Sequence, residues 1–74
     1  MEKTELTRVQ KYLRDKFRLD TIMLRDRKDS EESAEVYIGD EFIGVVFKDD
    51  EEGEVSYAFN MAILEMDLPA LNGA

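Results

Sequence analysis

The sequence predicts an α+β two-layer sandwich, with one N-terminal helix packed on a three-stranded antiparallel meander (α-β-β-β). Three observations carry this. Apolar residues near the N-terminus recur at steps of three and four, two β-branched runs are joined by Gly39-Asp40, and another alternating run follows an acidic turn. The 74 residues suffice for one domain, with an ordered core over 4–68 and a frayed tail over 69–74.

The helix is expected over residues 4–18. Leu6, Val9, Leu13 and Phe17 share one face, Thr4 is placed to cap the start, and Lys16 and Arg18 sit near the negative end of the dipole. Lys11, Arg14 and Arg18 fall on a common stripe on the solvent side, with Arg8 nearby. Next, "DTIMLRDRK" reads as a short edge strand, since Arg25, Arg27 and Lys28 discourage edge pairing. "DSEES", residues 29–33, reads as a polar loop.

Residues 33–47 form a hairpin around Gly39-Asp40, pairing Ile38 with Glu41, Val36 with Ile43 and Ala34 with Val45. In that register Ala34, Val36, Ile38, Ile43, Val45 and Phe47 face the helix. Tyr37, Phe42, Gly44 and Val46 face away. After the turn "KDDEEGE", the run "VSYAFNMAIL" directs Val55, Tyr57, Phe59, Met61 and Ile63 inward, and Phe47 pairs with Val55. Beyond it "MAILEMDL" is compatible with either strand or helix, and Pro69 ends regular structure.

Composition narrows the chemistry. The chain has no cysteine and no histidine, which removes disulfides, zinc-finger spacings, thiol catalysis and imidazole acid–base chemistry. Every acid falls on a turn, a helix exterior or a strand end, so no catalytic residue is assigned and no enzyme is expected. Nor is a cofactor, metal or small-molecule ligand. No stretch approaches the ~20 apolar residues of a membrane span, and no secretory leader is visible, so a soluble cytoplasmic protein is expected.

Gly39 and Gly44 have the spacing of a phosphate-binding loop, but Val45-Val46 follow where Lys-Ser/Thr is required, and Asp40 and Glu41 would repel phosphate. The acids around Gly53 fail the EF-hand pattern. With Gly53 at its sixth position, Lys48 stands first and Phe59 twelfth.

"AEVYIGDEFIGVVF" and "DDEEGEVSYAFNMAILEMDL", after the "VQKYLRDKF" helix, resemble a small bacterial family known as domain of unknown function 3126. The resemblance runs from that helix through Leu68. It implies a short single-domain cytoplasmic protein and no assigned activity, so no functional residues carry over.

Two functional expectations remain. The first is a non-enzymatic protein-interaction module, binding a protein partner or a second copy through Tyr37, Phe42, Gly44 and Val46 on the open sheet face. The second is a nucleic-acid-associated protein using Lys11, Arg14 and Arg18. Charge argues against the second. Residues 1–28 carry nine basic and five acidic side chains, but 29–74 carry one against thirteen, which makes +4 and −12 within the net −8.

Overall fold

The computed structural model describes residues 1–71 of the chain. Helix α1 spans Lys3–Phe17, followed by strands β1 (Ile22–Arg27), β2 (Ser30–Ile38), β3 (Glu41–Asp49) and β4 (Ser56–Asn60). Single-turn 3₁₀ helices occupy Glu51–Gly53 and Glu65–Asp67. The strands make one antiparallel sheet in the order β1-β2-β3-β4.

The α+β class holds, but the sheet has four strands and not the three of the predicted meander, because the edge strand expected in "DTIMLRDRK" joins it. β1 is a full member, pairing Ile22 with Ile38 through Asp26 with Ala34. β2 also begins earlier than expected. A tight turn at Lys28-Asp29 starts it at Ser30, so the predicted loop 29–33 is mostly strand. Ladder bonds use backbone groups and do not need apolar side chains, which is why "SEES" conceals a strand. At the other end β4 stops at Asn60, and residues 61–64 are neither strand nor helix. The predicted tail has no regular structure at 69–71, and its remainder, 72–74, lies outside the described residues.

α1 starts earlier than Thr4 because Glu2 is the N-cap, and Glu5 Oε1 reaches back to accept the Glu2 N–H at 3.3 Å. It ends at Arg18, which adopts left-handed φ 54°, and Arg14 carbonyl accepts the N–H of both Arg18 and Leu19. Leu13 is the buried anchor of the helix, over Ile22, Leu24, Ala34, Val36 and Val46, with Leu6, Val9 and Leu19 packed beside it. Phe17, predicted for the core, is 54% exposed and meets Phe59 at a ring separation of 6.5 Å.

The hairpin turn is as predicted at Gly39, which has φ +59°, and Ile38 pairs with Glu41. Beyond Phe42 the register departs from expectation. Tyr37 pairs with Phe42 but Val36 pairs with Gly44, so Ile43 is an extra residue, a β-bulge. Side chains alternate with period two, so one extra residue exchanges the faces of everything after it. Gly44, Val46 and Lys48 therefore turn toward the helix, and Val45 and Phe47 turn away. β4 follows suit, pairing Phe47 with Ala58 rather than Val55, and Val46 with Phe59.

Gly44 is required at the bulge. A Cβ there would collide with the Asn60 carbonyl oxygen and lie 2.8 Å from Phe59 Cε1. The backbone of β4 cannot yield without breaking its pairing to β3. Gly44→Ala is expected to cost about 1–3 kcal/mol, the usual range for overpacking. Urea unfolding at neutral pH measures it, and a loss within about 0.5 kcal/mol, the range of an ordinary surface substitution, would contradict the close approach.

Candidate interaction surfaces

Alternation along the strands sends Met23, Arg25, Glu35, Tyr37, Phe42 and Phe47 to the sheet face that α1 does not cover. Two of the sequence-predicted residues meet there. The Tyr37 and Phe42 rings stand edge to face with centroids 5.7 Å apart, and the Arg25 guanidinium lies 4.4 Å from the Tyr37 centroid. Tyr37 donates its hydroxyl to Glu35 Oε1 at 3.0 Å, and that bond pushes the phenol pKa up.

Gly44 and Val46, predicted for the same patch, are on the helix side. Val46 is 1% exposed in the core, and Gly44 is covered by Phe59. The bulge is the reason, and it substitutes Val45 and Phe47 on the open face. Phe47 is 43% exposed, opposite the small Ala58. A glycine inside a strand was the visible signal for the bulge.

The predicted basic stripe is not uniform. Lys11 Nζ is paired with Asp15 at 3.1 Å. Arg14 Nε donates to the Ile22 carbonyl at 2.7 Å, and four residues earlier Gln10 Oε1 accepts the Leu24 N–H at 2.9 Å. One helical turn rises about 5.4 Å, close to the ~6.8 Å between strand residues two apart, so the two side chains match the outer edge of β1. They satisfy backbone groups that an edge strand otherwise leaves unpaired. Arg18 stays exposed at the helix end.

Between α1 and β4 lies a groove of about 490 Å³, lined by Glu5, Arg8, Val9, Tyr12, Tyr57 and Phe59 among others. At its floor Glu5 Oε2 accepts from Lys48 Nζ and from the Tyr57 hydroxyl, each at 2.7 Å. The bonds from Lys48 and then Tyr57 hold the Glu5 carboxyl down to about 2, from an ordinary 4.5. The same contact pushes the Lys48 ammonium and the Tyr57 phenol up. A carboxylate held ionised in this way is a poor proton acceptor near neutrality, and its role is to tie β3 and β4 to the first turn of α1. Sequence reasoning missed this triad, because only the bulge brings Lys48 to the helix side.

In the acidic turn Asp49 Oδ1 accepts the Glu51 N–H at 3.0 Å. Among the described residues, no cluster of three or more acids is arranged to hold a metal, and no helix is long and apolar enough to cross a membrane.

Residues 5–67 match the model of a family described as protein of unknown function (DUF3126). No curated protein and no solved structure matches the chain.

Two measurements follow from this geometry. The folded-state pKa of Glu5 is depressed, so its stabilisation is present above about 4.5 and is lost as pH falls toward about 2. Acid unfolding should steepen in that window, and Glu5→Gln should flatten the slope there while lowering stability at pH 7. An unchanged acid limb in that variant would show that the contact carries no linkage. Arg14→Ala is expected to cost about 1.5–3 kcal/mol, as for a hydrogen bond from a charged group. Arg18→Ala should stay within about 0.5 kcal/mol, and equal losses in thermal unfolding would refute edge capping by Arg14.

Proposed function

The chain belongs to that family of unknown function, and we propose that it is a small non-enzymatic protein-interaction module that holds its partner through the open sheet face. The observation that carries this reading is the Tyr37–Phe42 ring pair beneath the Arg25 guanidinium, extended along β3 by Val45 and Phe47. Aromatic side chains and arginine are favoured in the centres of protein interfaces, since they offer large contact area with little rotamer entropy to lose.

The partner's chemistry follows from the patch. Its rings call for an apolar ridge. Arg25 makes no ion pair among the described residues, and its planar face is taken by Tyr37, so its N–H edge suits a carboxylate of the partner. Binding is non-covalent, with affinity from apolar burial and orientation from Arg25 and Glu35.

Phe42 is half exposed, so Phe42→Asp forfeits mainly the ring pair, about 0.5–1.5 kcal/mol of stability. In a crosslinking pull-down from native cells, Phe42→Asp and Phe47→Asp are each expected to lose the partners that the unaltered chain captures. If both variants stay folded by circular dichroism and retain every partner, the open face is not the contact surface.

A further inference from the structure

β3 is paired along its whole length on one side only. It spans Glu41–Asp49, but β4 pairs with it from Val45 to Asp49, opposite Asn60 to Ser56. Residues 41–44 therefore have β2 along one edge and, among the described residues, no strand along the other. The chain does not leave this edge after Asn60. Met61, Ala62, Ile63 and Leu64 pass beside it without a backbone hydrogen bond to it, and an open hollow of about 1070 Å³ lies between.

The hollow presents three kinds of chemistry together. Its β3 side offers backbone N–H and carbonyl groups that no ladder uses, and such groups are strong hydrogen-bonding sites. Its walls are apolar, with Phe42, Val45 and Phe47 on one side and Met61, Ile63 and Leu64 on the other. Ile63 is 71% exposed, so this wall has contact area to give. The exposed acids Glu41 and Asp67 complete the lining, and neither makes an ion pair among the described residues. Asp67 is brought back to the hollow by the single turn Glu65–Asp67, in which its N–H donates to the Leu64 carbonyl at 2.9 Å.

We propose that this hollow is a slot for one extended segment of a protein partner, a segment with alternate apolar side chains and a lysine or arginine, which adds a strand to residues 41–44 of β3. The proposal names the part of the partner that lies beside the Tyr37–Phe42 ring pair, and so rests on the open-face reading above. Strand addition satisfies open ladder groups by main-chain hydrogen bonds, and the alternate side chains of the added strand supply selectivity. Those that emerge on the open face lie beside Phe42 and Phe47, which suits apolar residues. Glu41 and Asp67 suit a cation, and residues 29–74 around them carry thirteen acidic side chains against one basic. The single glycine-led turn at Gly39-Asp40 leaves the Glu41 end of the slot open to the solvent.

The probe is a synthetic peptide of alternating valine and threonine, about six residues or ~20 Å long when extended, with a lysine at each end. Titration of the full chain followed by NMR gives its affinity, and hydrogen exchange gives the amides it covers. The peptide is expected to bind and to protect those amides of residues 41–44 that face the hollow. A version with glutamate ends, and one N-methylated along one edge so that it lacks the N–H donors, should each bind at least about tenfold more weakly. Ile63→Asp with Leu64→Asp changes two exposed side chains and should weaken binding by a similar factor. Glu41→Lys with Asp67→Lys should reverse the preference toward glutamate ends. Glu51→Lys with Glu52→Lys alters net charge equally, in the acidic turn, and should not. No binding at about 1 mM peptide, the weak end of specific association, overturns the proposal. So does equal affinity for the N-methylated peptide, or a preference that the two pairs of lysine changes reverse alike. Amides of 41–44 already protected in the dilute free chain would mean that its own segment fills the slot. Protection that rises with concentration of the chain alone would assign the slot to a second copy, and either result overturns the proposal. If Phe42→Asp loses the captured partners while the peptide leaves 41–44 unprotected, the slot is refuted and the open-face reading stands.

Discussion

In β3, Ile43 has no partner of its own across the hairpin, and that one extra residue decides the face of every side chain after it. Gly44 and Val46 go to the helix side, Val46 into the centre of the core and Gly44 beneath Phe59. Lys48 follows by the same alternation and meets Glu5 at 2.7 Å. Val45 and Phe47 go to the other face and enlarge its apolar surface. Core, strap and open patch thus share one cause, and Gly44 is the residue that permits it, since any side chain there would strike the Asn60 carbonyl.

The helix serves the sheet in two chemically different ways. Its apolar face, centred on Leu13, covers the inner layer of β1, β2 and β3. Its polar flank works on backbone and charge. Gln10 and Arg14 seal the β1 edge, and Glu5 gathers Lys48 and Tyr57 from β3 and β4. A domain of this size buries only about 60% of its unfolded surface, so polar contacts that close an edge and anchor the far strands supplement a small core. The edge contact depends on i, i+4 spacing along α1, which presents Gln10 and Arg14 at an interval near that of alternate strand residues.

These contacts end at β4, and the molecule is asymmetric as a result. One edge is closed by side chains of its own helix. The other ends in an uncharged strand and a largely exposed apolar segment that borders Phe42, Val45 and Phe47 across an open hollow. The charge distribution has the same polarity, with the basic excess in α1 and β1 and the acidic excess beyond them.

By itself the sequence determined the elements whose causes are local: the α1 stripe of Leu6, Val9 and Leu13, the turn at Gly39-Asp40, the alternation of Tyr57 and Phe59, and membership of the α+β class. Each follows from side-chain period or backbone preference within a few residues. The basic residues of α1 were legible as a stripe, but Arg14 was assigned to solvent because its acceptor, the Ile22 carbonyl, is a backbone group that carries no residue-specific signal. Half of the predicted patch, Tyr37 and Phe42, lies before the bulge and keeps its face. Gly44 and Val46 lie after it and do not. "EFIGVVF" is apolar at successive positions, so its pattern fits either face equally well. Only the tertiary structure decided between them, because the choice rests on contacts distant in sequence: Val46 against Leu13, Lys48 against Glu5, and the Asn60 carbonyl over Gly44.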